Sequence, residues 1–220
     1  MLPDNFNLWE ELTKALGETA VMVVWALLIS VVLGGVLGLL LFLTSSRLFV
    51  RNQIVNQAAG TIVNIIRSIP FIILLVLLLP LSKAIVQTTI GPKAVIVPLA
   101  VAAIAFFARI AEASFSDVRA GVLEAAISSG ASHRQVIFGI LLPEALPSLI
   151  KGVTLTAISL IGYSAMAGTV GGGGIGNLAI RYGYQRYNTT VMIVCVVALV
   201  IIVQVLQLLG DFIAKKTDKK

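Results

Sequence analysis

Few residues in this chain combine a reactive side chain with a spacing that could support chemistry. The single histidine, His133, has no second histidine or cysteine at the separation that metal ligands need. The single cysteine, Cys195, lies in an apolar stretch and suits a buried, inert thiol. No Ser/His/Asp set and no pair of aspartates within an apolar segment suggests catalysis. The sequence therefore predicts neither a metal site nor an enzyme, and His133 is interpreted as solvated or partner-contacting.

A glycine run, Gly171–Gly174 followed by Gly176, could be mistaken for a phosphate-binding loop. No strand precedes it, and the chain has no G-x-x-x-x-G-K-[ST] motif, so nucleotide binding is not expected. We predict instead a flexible or tightly packed re-entrant loop after an apolar span, in a position that suits an outer gate.

The most ordered spacing lies in the longest polar interruption between apolar segments. It reads Glu124-Ala125-Ala126, three residues, Gly130, nine residues, Ile140, one residue, and Leu142-Pro143. A membrane chain rarely keeps so regular a polar loop unless a partner docks there. On the residues alone, an amphipathic connector resting on lipid headgroups is the alternative.

Local chemistry gives this loop a helix–turn–helix shape. The alanines favour a helix, and Gly130 suits the left-handed position just after a helix end. Ser132 and Gln135 have the spacing of a capping box, which begins a second helix. Pro143 and Pro147 are expected to limit that second helix.

The surrounding composition places the chain in a bilayer. Of its 220 residues, 58% are hydrophobic and 12% are charged, whereas soluble domains carry roughly 25% charged residues. A membrane-spanning helix needs about 20 mostly apolar residues. We predict five spans in a single domain over 1–220, near 20–43, 60–81, 94–113, 149–168 and 189–210.

The Lys and Arg distribution predicts the orientation, because cytoplasmic loops are enriched in positive charge. With the N-terminus outside, ten of these residues are cytoplasmic, five are outside, and Arg67 lies within a span. This makes the C-terminus and the 114–148 loop cytoplasmic. The net charge of +6 is scattered apart from the tail, so nucleic acid is not an expected partner. The cytoplasmic set includes Arg47, Lys215, Lys216, Lys219 and Lys220.

Three charged residues fall at the ends of the marginal spans. A charged residue inside a membrane is by default a candidate for a functional role. The alternative for Arg67 is that its long side chain snorkels to the headgroups. Arg109 and Glu112 are three residues apart and therefore neighbours on one helix face. We predict that all three form an ion-pair cluster at the inner mouth.

The Glu124–Pro143 spacing resembles the cytoplasmic EAA loop of bacterial ABC-importer permeases, and all seven motif positions match. The flanking stretches resemble the permeases of D- and L-methionine ABC transporters over most of residues 60–190. Those stretches are Asn64–Leu75, Gly130–Ser132, Leu141–Pro147, Gly162–Gly168 and Gly183–Asn188.

The resemblance implies an all-α membrane protein of type I ABC-importer permease architecture in the bacterial cytoplasmic membrane. Two copies would form the pore, which agrees with five spans being few to enclose a solute pathway. Each copy would dock a cytoplasmic ABC ATPase. That partner would bind ATP and Mg²⁺, and no cofactor is expected in this chain. An extracytoplasmic methionine-binding protein or lipoprotein would deliver the substrate.

The resemblance also implies site residues. Near the pathway it places Tyr163, Ser164 and Met166, which we group with Arg67 as pathway or gate candidates, with ordinary helix packing as the alternative for each. The ATPase-coupling candidates are Glu124, Ala125, Ala126, Gly130, Ala131, Ser132, His133, Gln135, Ile140, Leu142 and Pro143.

Two alternatives remain open. A permease for another small amino acid would share the loop, because the methionine assignment depends on the flanking stretches alone. A multispanning channel or membrane enzyme without an ATPase partner would belong to a different class.

Overall fold

The computed structural model describes residues 7–46 and 48–218, so Arg47, Lys219 and Lys220 of the charge count lie outside the described residues. Within these ranges the secondary structure is helical, without strands, and the all-α prediction is confirmed. The α-helices are α1 (Leu8–Ser45), α2 (Gln53–Ser68), α3 (Phe71–Val86), α4 (Pro92–Ser116), α5 (Ala120–Ser128), α6 (His133–Val136), α7 (Leu142–Ala167), α8 (Gly174–Leu178) and α9 (Thr189–Thr217).

Several helices are long and apolar enough to cross a membrane. Over the described residues, four continuous stretches meet this requirement, and α2 with α3 meets it only as a pair bent by 109°. Counting that pair as one crossing gives five. The four continuous stretches are Leu8–Ser45, Pro92–Ser116, His133–Val170 and Thr189–Thr217.

The predicted second span, 60–81, covers this bent pair and not a single helix. α2 ends at Ser68, and Ile69 has extended backbone with φ −83° and ψ 123°. The residue before a proline is driven towards extended conformations, so the helix cannot continue through Ile69 into Pro70. The Pro70 carbonyl then accepts the N–H groups of Ile73 and Leu74, at 2.9 and 3.0 Å, and α3 begins. Pro70 therefore makes a corner within the predicted span.

α1 and α4 pack with their backbones nearly in contact. A Cβ added at Gly34 would lie 2.9 Å from the Ile104 carbonyl oxygen. One added at Gly38 would lie 2.5 Å from the Ala108 carbonyl oxygen and 2.7 Å from the Ala111 Cβ. Only glycine fits such an approach, which is the way small residues bring membrane helices together. This small-residue face of α1 therefore pairs it with α4.

Two buried clusters surround this helix pair. The central one joins α1, α3, α4 and α7, with Met22, Leu75, Leu99 and Leu160 fully buried. The second, which we call the loop-side cluster, ties the predicted cytoplasmic loop to the spans. Its buried members are Phe42, Phe107, Ala111, Phe115, Leu123, Val136, Leu141 and Ala145.

Candidate coupling loop and membrane cavity

The predicted loop begins with α5, whose end is fixed by a glycine turn. Gly130 has φ +85°. Its N–H donates to the Ile127 carbonyl at 2.9 Å, and the Ala131 N–H donates to the Ala126 carbonyl at 3.1 Å. These two bonds are those of a Schellman motif, which satisfies the last carbonyls of a helix through a left-handed residue. The predicted glycine stop is confirmed.

The second helix begins where the capping box predicts. The Ser132 side chain accepts the Gln135 N–H, and the Gln135 side chain accepts the Ser132 N–H at 2.9 Å. The helix does not end at Pro143 or Pro147, however, and that prediction is wrong. A π-helical turn over Ile137–Leu141 leads directly into α7. This wider turn, a type often found where a helix is interrupted, precedes Pro143 and carries the helix through to the membrane.

The candidate coupling residues divide into an exposed set and a supporting set. The supporting set is half-buried and packs against the loop-side cluster: Ala126, Ala131, Ile140 and Leu142. The exposed set faces outwards: Glu124, Ala125, Gly130, Ser132, His133, Gln135 and Pro143. Neither set includes Leu123 and Val136, which are 2% and 0% exposed and anchor the two short helices. Each is the one buried residue of its short helix, so no hydrophobic period marks it in the sequence.

His133 has one described aromatic neighbour. Its ring centroid lies 5.5 Å from that of Phe49, with the planes tilted by 59°. The Phe49 ring is in turn 6.0 Å from Phe42, and Phe42 is 6.0 Å from Phe115 in the loop-side cluster. His133 is therefore exposed but connected to the buried support of the loop. No group of three metal-ligating side chains occurs among the described residues.

A polar cavity of 270 Å³ opens beside α5. It carries Asp117 and Arg119 from the entrance to α5 and Glu144 from the start of α7. Both signs of charge are present, so the cavity could receive a polar side chain from a docked protein. The sequence alone does not reveal this cavity, because only the fold brings Glu144 and Asp117 to its walls.

Arg109 joins α4 to α2. Its guanidinium donates to Glu112 at 2.6 Å, to the Gly60 carbonyl at 2.9 Å and to the Asn64 side-chain oxygen at 3.0 Å. The predicted Arg109–Glu112 pair is confirmed. Arg67 is not part of it: Arg109 reaches α2 at Gly60 and Asn64, and among the described residues Arg67 forms no ion pair with Glu112. The predicted three-member cluster is wrong.

Arg67 and Tyr163 instead line one cavity of 220 Å³ at the α2–α3 corner. Tyr163 stacks on Phe71, with ring centroids 4.7 Å apart and planes within 13°. The other two pathway candidates lie elsewhere. Ser164 is 2% exposed and donates to the Ile161 carbonyl at 2.8 Å, and Met166 is 51% exposed and does not line this cavity.

The glycine run is tightly packed against α1. The Gly174 N–H donates to the Glu18 carboxylate at 2.7 Å, and the Ile175 N–H donates to the Thr19 hydroxyl at 3.0 Å. The Gly91 N–H also bonds the Gly171 carbonyl at 3.0 Å. Because side chains of α1 already occupy these N–H groups, the segment is not arranged to receive phosphate.

Comparison with known proteins gives one family and several close relatives. Residues 30–220 match the family model described as "Binding-protein-dependent transport system inner membrane component". A probable D-methionine transport system permease protein from Vibrio cholerae is 46% identical over 209 residues, covering 95% of this chain and 93% of that protein. A methionine import system permease protein from Bacillus subtilis is 46% identical and covers 82% of each chain.

Solved structures have the same fold. An inward-facing conformation of the MetNI methionine ABC transporter superposes with a TM-score of 0.95 at 40% identity, covering 99% of this chain and 100% of the other. An amino acid ABC transporter with histidines superposes with a TM-score of 0.78 and covers 94% of each chain. At 20% identity that second likeness shows the fold alone.

Proposed function

Because the chain belongs to the family of binding-protein-dependent transport system inner membrane components, we propose that it is the permease of an ABC importer for methionine. It is a multi-pass membrane protein and a transport subunit, with the all-α fold of the type I importer permeases. The substrate proposal is supported by relatives from two bacteria, both named as methionine permeases and both 46% identical to this chain.

One observation carries the coupling role of the loop. The exposed coupling residues lie on, between and just after two short helices whose buried faces, through Leu123 and Val136, belong to the loop-side cluster. A partner that pushes or pulls on this surface therefore acts on α1, α4 and α7 through packed side chains. We assign the exposed set as the docking surface for a cytoplasmic ATPase, which binds ATP and Mg²⁺.

The number of spans in one chain favours a dimeric permease. One copy has too few spans to enclose a solute pathway, so a second copy completes the pore in a two-fold arrangement. An extracytoplasmic methionine-binding protein or lipoprotein presents the substrate on the outer side. The N-terminus lies outside and the C-terminus lies in the cytoplasm, as the distribution of Lys and Arg favours.

Uptake by the reconstituted transporter tests this function. Proteoliposomes holding the permease, its ATPase and its binding protein are expected to accumulate labelled L- or D-methionine only with ATP. Uptake of another small amino acid in place of methionine would contradict the substrate. Uptake that continues without the ATPase would contradict the importer class and favour a channel.

A further inference from the structure

Arg67 carries a positive charge that the fold leaves uncompensated. It is exposed at the last turn of α2, and its side chain has no hydrogen bond or ion pair with any residue in 7–46 or 48–218. Arg109, which reaches the same helix from α4, makes three such contacts. Retaining an unpaired guanidinium within a membrane span is costly unless it serves a ligand or a pathway.

The cavity around Arg67 is otherwise suited to an apolar group. Among the described residues that line it, Arg67 is the only charged one. The walls are apolar or aromatic, and the Phe71–Tyr163 stack forms one of them. The remaining lining residues are Ile66, Ile69, Leu74, Ala102 and Phe106.

The position of the cavity also favours a transport site. Arg67 and Phe71 flank the corner at which α2 and α3 bend by 109°, and transporters often bind their substrates where a membrane helix is broken. The volume of 220 Å³ is more than ten times the roughly 15 Å³ that holds one water molecule.

We propose that this cavity binds the amino acid during its passage through the permease. The substrate α-carboxylate pairs with the Arg67 guanidinium, whose planar fork matches a carboxylate. The flexible thioether side chain lies against the rings of Phe71, Phe106 and Tyr163, since sulfur packs favourably on aromatic groups. This inference rests on the proposed function and adds the site at which the permease itself contacts the substrate.

Photo-labelling with photo-methionine, a diazirine analogue that keeps the α-carboxylate and α-amine, tests the site in proteoliposomes holding the whole transporter. The label is expected on peptides that contain Phe71, Phe106 or Tyr163. Excess L-methionine should suppress it, whereas L-methioninamide, which lacks the carboxylate, should not. Label confined to other parts of the permease, or equal competition by the amide, would overturn the site.

Arg67→Gln and Lys83→Gln provide the matched comparison, because each replaces one positive charge by a neutral amide. Arg67→Gln should lower labelling at least tenfold, and Arg67→Lys should retain more of it because the cation remains. Lys83→Gln makes the same charge change on α3, outside the cavity, and should leave labelling unaltered. Recovery of the permease–ATPase complex by size exclusion reports on assembly of each variant.

The label map and the amide competition use the unaltered chain, so they decide the site even if Arg67→Gln does not assemble. Methionine uptake by the same vesicles separates the two proposals. Normal uptake with the label elsewhere overturns this site alone. Absence of ATP-dependent methionine uptake overturns the proposed function, and this site with it.

Discussion

At the scale of single residues, Arg109 forms three side-chain hydrogen bonds that a lysine could not form together. Lysine keeps the charge but not the planar fork that reaches Glu112, the Gly60 carbonyl and Asn64 together. Arg109→Lys should lower the free energy of unfolding by about 1–3 kcal/mol, since hydrogen bonds of charged groups are lost in a half-buried setting. Denaturant titration of the purified chain in detergent measures this.

The matched control for Arg109 is Arg67→Lys. Arg67 has no described partner to lose, so its substitution should change the unfolding free energy by less than about 0.5 kcal/mol. Equal destabilisation by both variants would contradict the difference between the two arginines.

Gly130 is constrained by its backbone and not by its neighbours. A Cβ there would meet nothing within 4 Å, but φ is +85°. Gly130→Val should strain the turn by about 1–3 kcal/mol, shift the exposed set and reduce recovery of the ATPase in pull-downs and methionine uptake. Gly130→Asn is the control, because asparagine tolerates the left-handed region and should retain most binding. Intact ATPase binding and uptake in Gly130→Val would mean that the loop is not the coupling surface.

At the scale of elements, α5 has one buried side chain, Leu123. Leu123→Ala should cost about 2–5 kcal/mol of packing energy, loosen α5 and weaken ATPase binding even though Leu123 is itself buried. Hydrogen exchange of the α5 amides and ATPase pull-down measure the two effects. Val122→Ala removes a side chain that is 43% exposed on the same helix. This variant should leave the hydrogen exchange of α5 and the recovery of the ATPase close to those of the unaltered chain. If Leu123→Ala behaves like Val122→Ala, the anchor has been misassigned.

At the scale of the whole molecule, the orientation can be tested with single cysteines in a Cys195→Ala background. Ser129→Cys places a thiol on the exposed end of the coupling loop, and Thr88→Cys places one in the turn between α3 and α4. In intact cells a membrane-impermeant maleimide should label Thr88→Cys and not Ser129→Cys. The reverse pattern would place the N-terminus inside.

Local chemistry determined which parts of the fold could be predicted. The Gly130 turn and the Ser132 cap depend on residues within five positions of each other, and both were predictable. The failure at Pro143 has a different cause, because a π-helical turn lets the chain continue where α-helical geometry would stop. That Arg67 and Tyr163, 96 positions apart, line one cavity depends on how α2 and α7 each pack against α4. No local pattern contains that information, and the same holds for Glu18 at the glycine run.

The unbroken length of α1 has a mechanical consequence. At 1.5 Å per residue its 38 residues form a rod of about 57 Å. In its N-terminal third α1 is bonded to the glycine run through Glu18, and near its C-terminal end it enters the loop-side cluster through Phe42. A straight helix held at two distant points transmits a displacement from one face of the membrane to the other. Spin labels at Trp9 and Ser45 should therefore keep a constant separation when nucleotide is added, whereas a change would show that α1 bends.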